Sequence, residues 1–246
     1  MGMRVFLAGG SGVIGRSLVP LLRDAGHAVT ALTRTREGSD RLAAQGVAAI
    51  IGDVFDRAAL EQAVVDAAPE VVMHQLTDLA GGIDPQSPEA TLRRNARLRR
   101  EGTANLTGAA RAAGVKRVIA QSIAWAYAPK EPPYQEADPL DIQAEGPRAI
   151  SVRDGVIPLE DAILDQPDFD GIVLRYGQLY GPGTWSAAPS GTAPVHVDAA
   201  AYAAFLAMDR GGPGAYNIAD QGGAVAIGKA VSELGWRQDF RLRQHG

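Results

Sequence analysis

No cysteine occurs in this 246-residue chain. Disulfides, thiolate metal sites and cysteine nucleophiles are excluded at once, although the compartment is not thereby fixed. Lysine is nearly absent too: Lys116, Lys130 and Lys229 are the whole supply, and arginine carries the rest of the positive charge. No apolar run reaches the roughly 18 residues that a membrane helix needs. The chain enters an apolar stretch within its first few residues, which leaves no room for a signal peptide, so a cytoplasmic location is expected. With 24 basic and 28 acidic residues the net charge is −4, and no overall positive field favours nucleic acid. No metal site is expected. What is present is ordinary: 46% hydrophobic and 21% charged residues describe a globular protein with room for a substantial core.

The most informative stretch is Met3 to Gly15, MRVFLAGGSGVIG. It reads as a short buried strand, Arg4 to Ala8, then a glycine-rich turn, then a helix. Gly10, Gly12 and Gly15 give G-x-G-x-x-G; Gly9, Gly12 and Gly15 give the wider G-x-x-G-x-x-G. Glycine serves three needs here: a sharp turn, close approach of backbone to a pyrophosphate, and close packing of helix on strand. The helix then aims free N–H groups and its positive dipole end at the phosphates. The expected cradle is Gly9, Gly10, Ser11, Gly12, Val13, Ile14 and Gly15.

The chain then alternates. Val13 to Ala25 reads as a helix with Pro20 as a blemish that should kink it, and Ala28 to Thr33 as a second strand. An acid at that strand's end would bind the ribose hydroxyls of NAD. Here Arg34 stands 19 residues past Gly15, and a guanidinium suits a 2′-phosphate. NADP is therefore the expected cofactor, with NAD possible; the bland alternative for Arg34 is a solvated loop. A helix at Ser39 to Gln45 and a strand at Val47 to Ile51 follow. Beyond that strand Asp53 either accepts from the adenine amino group or serves as a turn residue, with Val54 beside it. Asp56 reads as the N-cap of a helix over Arg57 to Ala67. Val71 to Leu76 is a fourth strand; His74 within it reads as a packed residue, and Leu76 ends at the cleft.

Residues 81–88 form a polar loop, and Glu89 to Ala113 a long helix. Its arginines, Arg93, Arg94, Arg97, Arg99 and Arg100, read as a solvated face or an oligomer contact, because no aromatics interleave as a nucleic-acid stripe would require. Lys116 to Gln121 is a fifth strand, Ala149 to Gln166 contains a helix, and Gly171 to Arg175 is a sixth strand. A helix at Ala199 to Met208, a strand at Ala215 to Ile218 and a helix at Val225 to Leu234 complete the chain. Short connections between alternating elements imply an α/β fold: a Rossmann-type, doubly wound parallel sheet with helices on both faces. A single domain is expected, with a dinucleotide-binding core over 1–176 and a small lobe over 177–246. Ligands then bind beyond the C-terminal strand ends, where the glycine turn, Arg34, Asp53, Leu76 and Ser122 converge.

Six segments together resemble the extended short-chain dehydrogenase/reductase family, in its NAD-dependent epimerase/dehydratase branch. They are GGSGVIG at 9–15, GDVFD at 52–56, EGTANLTGAARAAGVKRVI at 101–119, QSIAWAY at 121–127, LRYGQLYGPG at 174–183 and VHVDAAAYA at 195–203. The resemblance implies that a Ser or Thr after the fifth strand hydrogen-bonds the substrate oxygen; Ser122 matches that position or its immediate neighbour. It also implies a Tyr-x-x-x-Lys pair on the next helix. That tyrosine moves a proton, and the lysine lowers its pKa and binds the nicotinamide ribose. A homodimer through 89–113 and 149–166 is a further implication.

This chain has no Tyr-x-x-x-Lys. Counting back from Glu160, which resembles the glutamate ending that family helix, puts Val152 and Val156 where the pair belongs. Three readings follow. Another phenol, Tyr127 or Tyr176, stands in with Ser122 for chemistry on a small carbonyl or hydroxyl substrate. Alternatively, NADP is bound without hydride transfer, as in a redox sensor. In the third reading the pocket serves a non-redox isomerisation or cyclisation. The short segment after Gly181 disfavours a large nucleotide-sugar substrate. Asp198 reads first as a helix N-cap and second as a site residue.

Overall fold

A computed structural model describes residues 2–79 and 82–243; Gly81, the first residue of the expected polar loop, lies outside them. The strands are β1 (Arg4–Ala8), β2 (Ala28–Thr33), β3 (Ala48–Ile51), β4 (Val71–His74), β5 (Arg117–Ile123), β6 (Asp170–Tyr176), β7 (Gln178–Tyr180), β8 (Pro194–His196) and β9 (Gly214–Ile218). Seven of them form one parallel sheet in the order β3-β2-β1-β4-β5-β6-β9. The central ones are buried on both faces, as parallel strands between helix layers must be. β7 and β8 form a separate parallel pair.

Helices cover both faces. On one side α1 (Val13–Asp24) packs beside α8 (Val197–Leu206), around Leu18, Leu22, Ile172 and Tyr216. On the other side α3 (Arg57–Ala67), α5 (Thr103–Ala112) and α7 (Ile157–Ile163) enclose Phe6, Val64, Leu106 and Val173. The remaining helices are α2 (Arg36–Ala44), α4 (Pro88–Arg97) and α6 (Gly146–Ser151). Helix α1 runs through Pro20 without ending. Asp56 caps α3 by accepting from the Ala59 amide at 3.1 Å.

The sheet reverses its order between β1 and β4, so the crevice at the carboxyl ends of these two strands is the topological switch point. Two long helices differ from the sequence expectation. The 89–113 helix is divided by a π-helical turn, Leu98–Gly102. The 149–166 helix begins at Gly146 and is divided by another, Val152–Val156. In the second case Pro158 has no N–H to return to the carbonyl one turn back, which disfavours a regular helix through this point.

The last helix is also shorter than expected. Val225 is bridged to Tyr134, and the Ala226 amide donates to the Tyr134 carbonyl, so helical structure there ends in the π turn Ala230–Leu234. β9 belongs to the main sheet beside β6, although it lies in the 177–246 segment. No described helix is long and apolar enough to cross a membrane, and no described cluster of acidic and histidine side chains could hold a metal ion.

Candidate functional site

The glycine turn at the switch point is made by close backbone contacts. Gly9 has φ +100°, and a Cβ there would lie 2.6 Å from the Gln75 carbonyl oxygen. A Cβ on Gly15 would lie 2.4 Å from the carbonyl oxygens of Gly9 and Gly10. These two glycines let the helix start against the strand. Gly12 differs: its Cβ would meet only the Gly9 oxygen, at 3.2 Å. Gly12 is the residue before α1, with no side-chain cap and no acid in the helix's first turn. The first-turn amides are thus available to a ligand. Gly12's own amide is spent on the Gly9 carbonyl.

Ser11 shares a hydrogen bond with Thr33 across 3.2 Å, fixing the turn to the end of β2. Gly38 makes room for both, since a Cβ there would lie 2.3 Å from the Thr33 hydroxyl oxygen. Next to this contact a cleft of about 370 Å³ opens, lined by Gly10, Ser11, Arg16, Arg41, Leu42 and Gln45. Arg34 lies exposed at the end of β2. Its Nη1 is 3.3 Å from Asp78, whose other carboxylate oxygen is 3.1 Å from Arg94. Sequence reasoning found Arg34 but not Arg16 or Arg41, whose place at the cleft depends on how α1 and α2 pack.

Asp53 accepts from the Phe55 amide at 3.0 Å, which is the turn role foreseen as its alternative. Val54 is buried, and its carbonyl accepts from Asn105. The Leu76 carbonyl accepts from Gln121 and its amide donates to His74 Nδ1. With Nδ1 accepting, the His74 proton sits on Nε2, which meets Thr103 at 2.9 Å. Burial first, then the nearby charge of Arg99, lowers His74 to a pKa of about 4, so the ring is neutral. The expected packing role of His74 is what the structure shows.

The β5–β6 end is filled by side chains. Ser122 is fully buried and donates to Glu160 at 2.7 Å. Glu160 also accepts from Arg175 at 3.0 and 2.6 Å. Arg175 donates to the Tyr127 hydroxyl at 2.9 Å, and Tyr127 donates to Asn217 at 2.6 Å. Burial raises the Tyr127 pKa, and Arg175 only partly opposes this. Tyr176 is buried 3.5 Å from the Gln75 amide nitrogen, and burial raises its pKa well above the usual phenol range.

The three hydroxyls expected to do chemistry are therefore held in the interior, which corrects the expectation that Ser122 and Tyr127 present theirs at the cleft. Strand alternation explains Ser122: its neighbour Ile123 points the other way. Ile123 packs with Ala126, Val152 and Val156 in one apolar cluster. Asp198 is also corrected. It lies inside the first turn of α8, where it accepts from Ser17 at 2.8 Å and from the Leu242 amide at 3.1 Å; the His196 side chain caps the helix.

The NAD dependent epimerase/dehydratase family model matches residues 5–203. The chain belongs to this family. A Streptomyces relative, a 3-diazoavenalumate denitrifying reductase, is 41% identical over 244 residues, spanning 91% of this chain and 78% of its own. Among solved structures, the UDP-glucose 4-epimerase of Thermotoga maritima with UDP-glucose is 20% identical with a TM-score of 0.76. The match covers 97% of this chain and 94% of that one. The UDP-glucose 4-epimerase of Thermus thermophilus, in complex with NAD, is 19% identical with a TM-score of 0.75, covering 98% and 95%. These two show the shared fold.

Within the epimerase/dehydratase family this chain keeps the dinucleotide cradle. The paired Gly9 and Gly15 contacts, the open face of Gly12 and the uncapped helix fit a diphosphate. A reduced nicotinamide bound here would supply hydride. The first-turn amides of α1 would hold its diphosphate, and Ser11, Thr33 and Arg34 would face its adenosine end. At the positions where the family resemblance places the acid–base pair, this chain presents Val152 and Val156, both fully buried. Neither valine side chain has a proton to give or take.

Proposed function

We propose that this protein is an NADPH-dependent reductase that delivers hydride to a diazo-bearing small molecule and releases dinitrogen. The observation that carries this reading is the apolar cluster of Ile123, Ala126, Val152 and Val156 at the end of β5, in a chain that keeps its dinucleotide cradle. Hydride addition to a ketone leaves an alkoxide, which needs a proton from the enzyme. Hydride addition to an aryl diazonium cation needs none: the aryl–N2 cation and hydride give aryl–H and N2, and the balance closes. The nitrogen leaves as a gas, so the step needs no acid and does not reverse. A site stripped of its proton donor suits that substrate and not a sugar or ketone.

The named activity of the 41% identical Streptomyces relative supports the same chemistry. Preference for NADPH over NADH is supported by Arg34, with Arg16 and Arg41 at the neighbouring cleft. In this reading the buried cluster keeps water out from behind the site, while Tyr127, Arg175, Glu160 and Ser122 hold β5 and β6 in place.

The test is incubation with NADPH and an arenediazonium carboxylate. Nicotinamide absorbance, dinitrogen release and the hydrogen-replaced product are followed together, with an enzyme-free blank to subtract spontaneous reduction. Matched consumption and product formation above the blank are expected, with no turnover of simple aldehydes or ketones. Turnover of ketones but not of the diazo compound would overturn the substrate assignment. Binding without consumption would make the protein a sensor.

A further inference from the structure

Arg99 is 3% exposed, on the π turn Leu98–Gly102. Its Nε has no hydrogen-bond partner among the described residues. The negative charge acting on it is Glu160, but Glu160 accepts its hydrogen bonds from Arg175 and Ser122 and none from Arg99. An unpaired guanidinium in the interior is strongly unfavourable, so its retention asks for a partner that the free protein does not contain.

The surroundings say where that partner enters. A Cβ on Gly155 would lie 3.1 Å from Cα of Ala96 and 3.4 Å from Cδ of Arg99. Glycine lets this turn sit against Ala96 without displacing it, and Arg99 runs alongside the contact. Gly155 lies between Val152 and Val156, the two positions where the family resemblance puts a tyrosine and a lysine. The charge of Arg99 is also felt by His74 at the carboxyl end of β4. The next residue, Gln75, carries the other buried polar atom without a partner among the described residues, its Oε1. A buried donor and a buried acceptor are thus both unsatisfied: Gln75 directly follows β4 with its carbonyl against Gly9, and Arg99 lies near enough to His74 to act on its charge. Vicinal hydroxyls, which donate and accept, match that pair.

We propose that Arg99 supplies, from the α4–α5 side, the cation that relatives place at position 156, and that it binds the hydroxyls of the nicotinamide-side ribose. The swap accounts for three features together: a valine at 156, a glycine at 155 and an arginine without a partner. It rests on the cofactor half of the proposed function and is independent of the substrate.

The test compares two ligands by calorimetry, NADPH and 2′-phospho-ADP, which lacks the nicotinamide riboside. Arg99→Met should weaken NADPH at least tenfold and leave 2′-phospho-ADP within twofold. Its thermal midpoint should be no lower than that of the parent, because a charge without a partner is removed. Val156→Lys in the Arg99→Met background should recover part of the NADPH affinity. Equal losses for both ligands, no loss for either, or an Arg99→Met protein that fails to fold would overturn the assignment. Failure of the unaltered protein to bind NADPH would instead sink the cofactor reading itself.

Discussion

At the β1–β2 end of the cleft the working surface is backbone: glycines 9, 12 and 15, an uncapped helix and amides facing outward. At the β5–β6 end it is side chain: Ser122, Tyr127, Glu160 and Arg175 joined in one buried network, with a plug of aliphatic residues against it. The first end is kept open for a ligand at the expense of unsatisfied amides. The second has every hydroxyl of its network satisfied internally and has been closed. The two ends thus differ in kind: one exposes backbone that a ligand can use, and the other is built as core. Breaking the two ends separately should therefore give opposite phenotypes.

The largest effect belongs to the closed end. Glu160→Gln leaves the buried Arg175 charge without its carboxylate, and removing one partner of a buried pair costs about 3–5 kcal/mol. For a chain of this size that corresponds to a fall in the thermal midpoint of roughly 10 °C. The protein that remains folded should bind NADPH within threefold of the parent. A variant that kept its melting temperature and lost turnover alone would show that Glu160 acts in chemistry and that the network is not structural.

The reverse result is expected from Gly12→Val. Gly12 has φ −77°, which any residue adopts, and its missing Cβ faces open space on all sides but one. Valine there must push the Gly9 carbonyl by a few tenths of an ångström, with a modest fall in melting temperature, while its methyls occupy the diphosphate cradle. A loss of NADPH affinity of at least tenfold, about 1.4 kcal/mol, is expected by titration. Unchanged affinity would place the diphosphate elsewhere.

The same contrast explains which parts of the molecule the sequence made legible. The open end depends on local rules: an apolar strand, glycines at fixed spacing, then a helix. The boundaries of β1 and β2 and the Asp56 cap came out as read. The closed end depends on partners far apart in the chain. Ser122 meets Glu160 38 residues on and Tyr127 meets Asn217 90 residues on, and no local pattern shows which face Ser122 takes. Val225 likewise fits a helix by composition, yet Tyr134 claims it for a bridge.

Arg99 is the instructive intermediate. Within a run of five arginines it reads as surface, but Thr91, Asn95, Arg99 and Gly102 are all buried. Their spacing of four, four and three follows one helix face. That face was present in the sequence; the density of charge concealed it.

The smallest effect tests the open end at its outer edge. Arg34 is mostly solvent-exposed and already shares Asp78 with Arg94, so its hold on a 2′-phosphate is a surface interaction weakened by salt and by that carboxylate. Arg34→Glu should lower NADPH affinity by about tenfold, or 1.4 kcal/mol, while NADH changes less than threefold. The gap should narrow at high ionic strength. Glutamate at the end of β2 would also face the ribose hydroxyls as the acid of NAD-binding sites does, so any change in NADH affinity should be upward. If both nucleotides lose affinity equally, Arg34 supports the loop rather than the phosphate, and the cations of the neighbouring cleft, Arg16 and Arg41, become the residues to replace next.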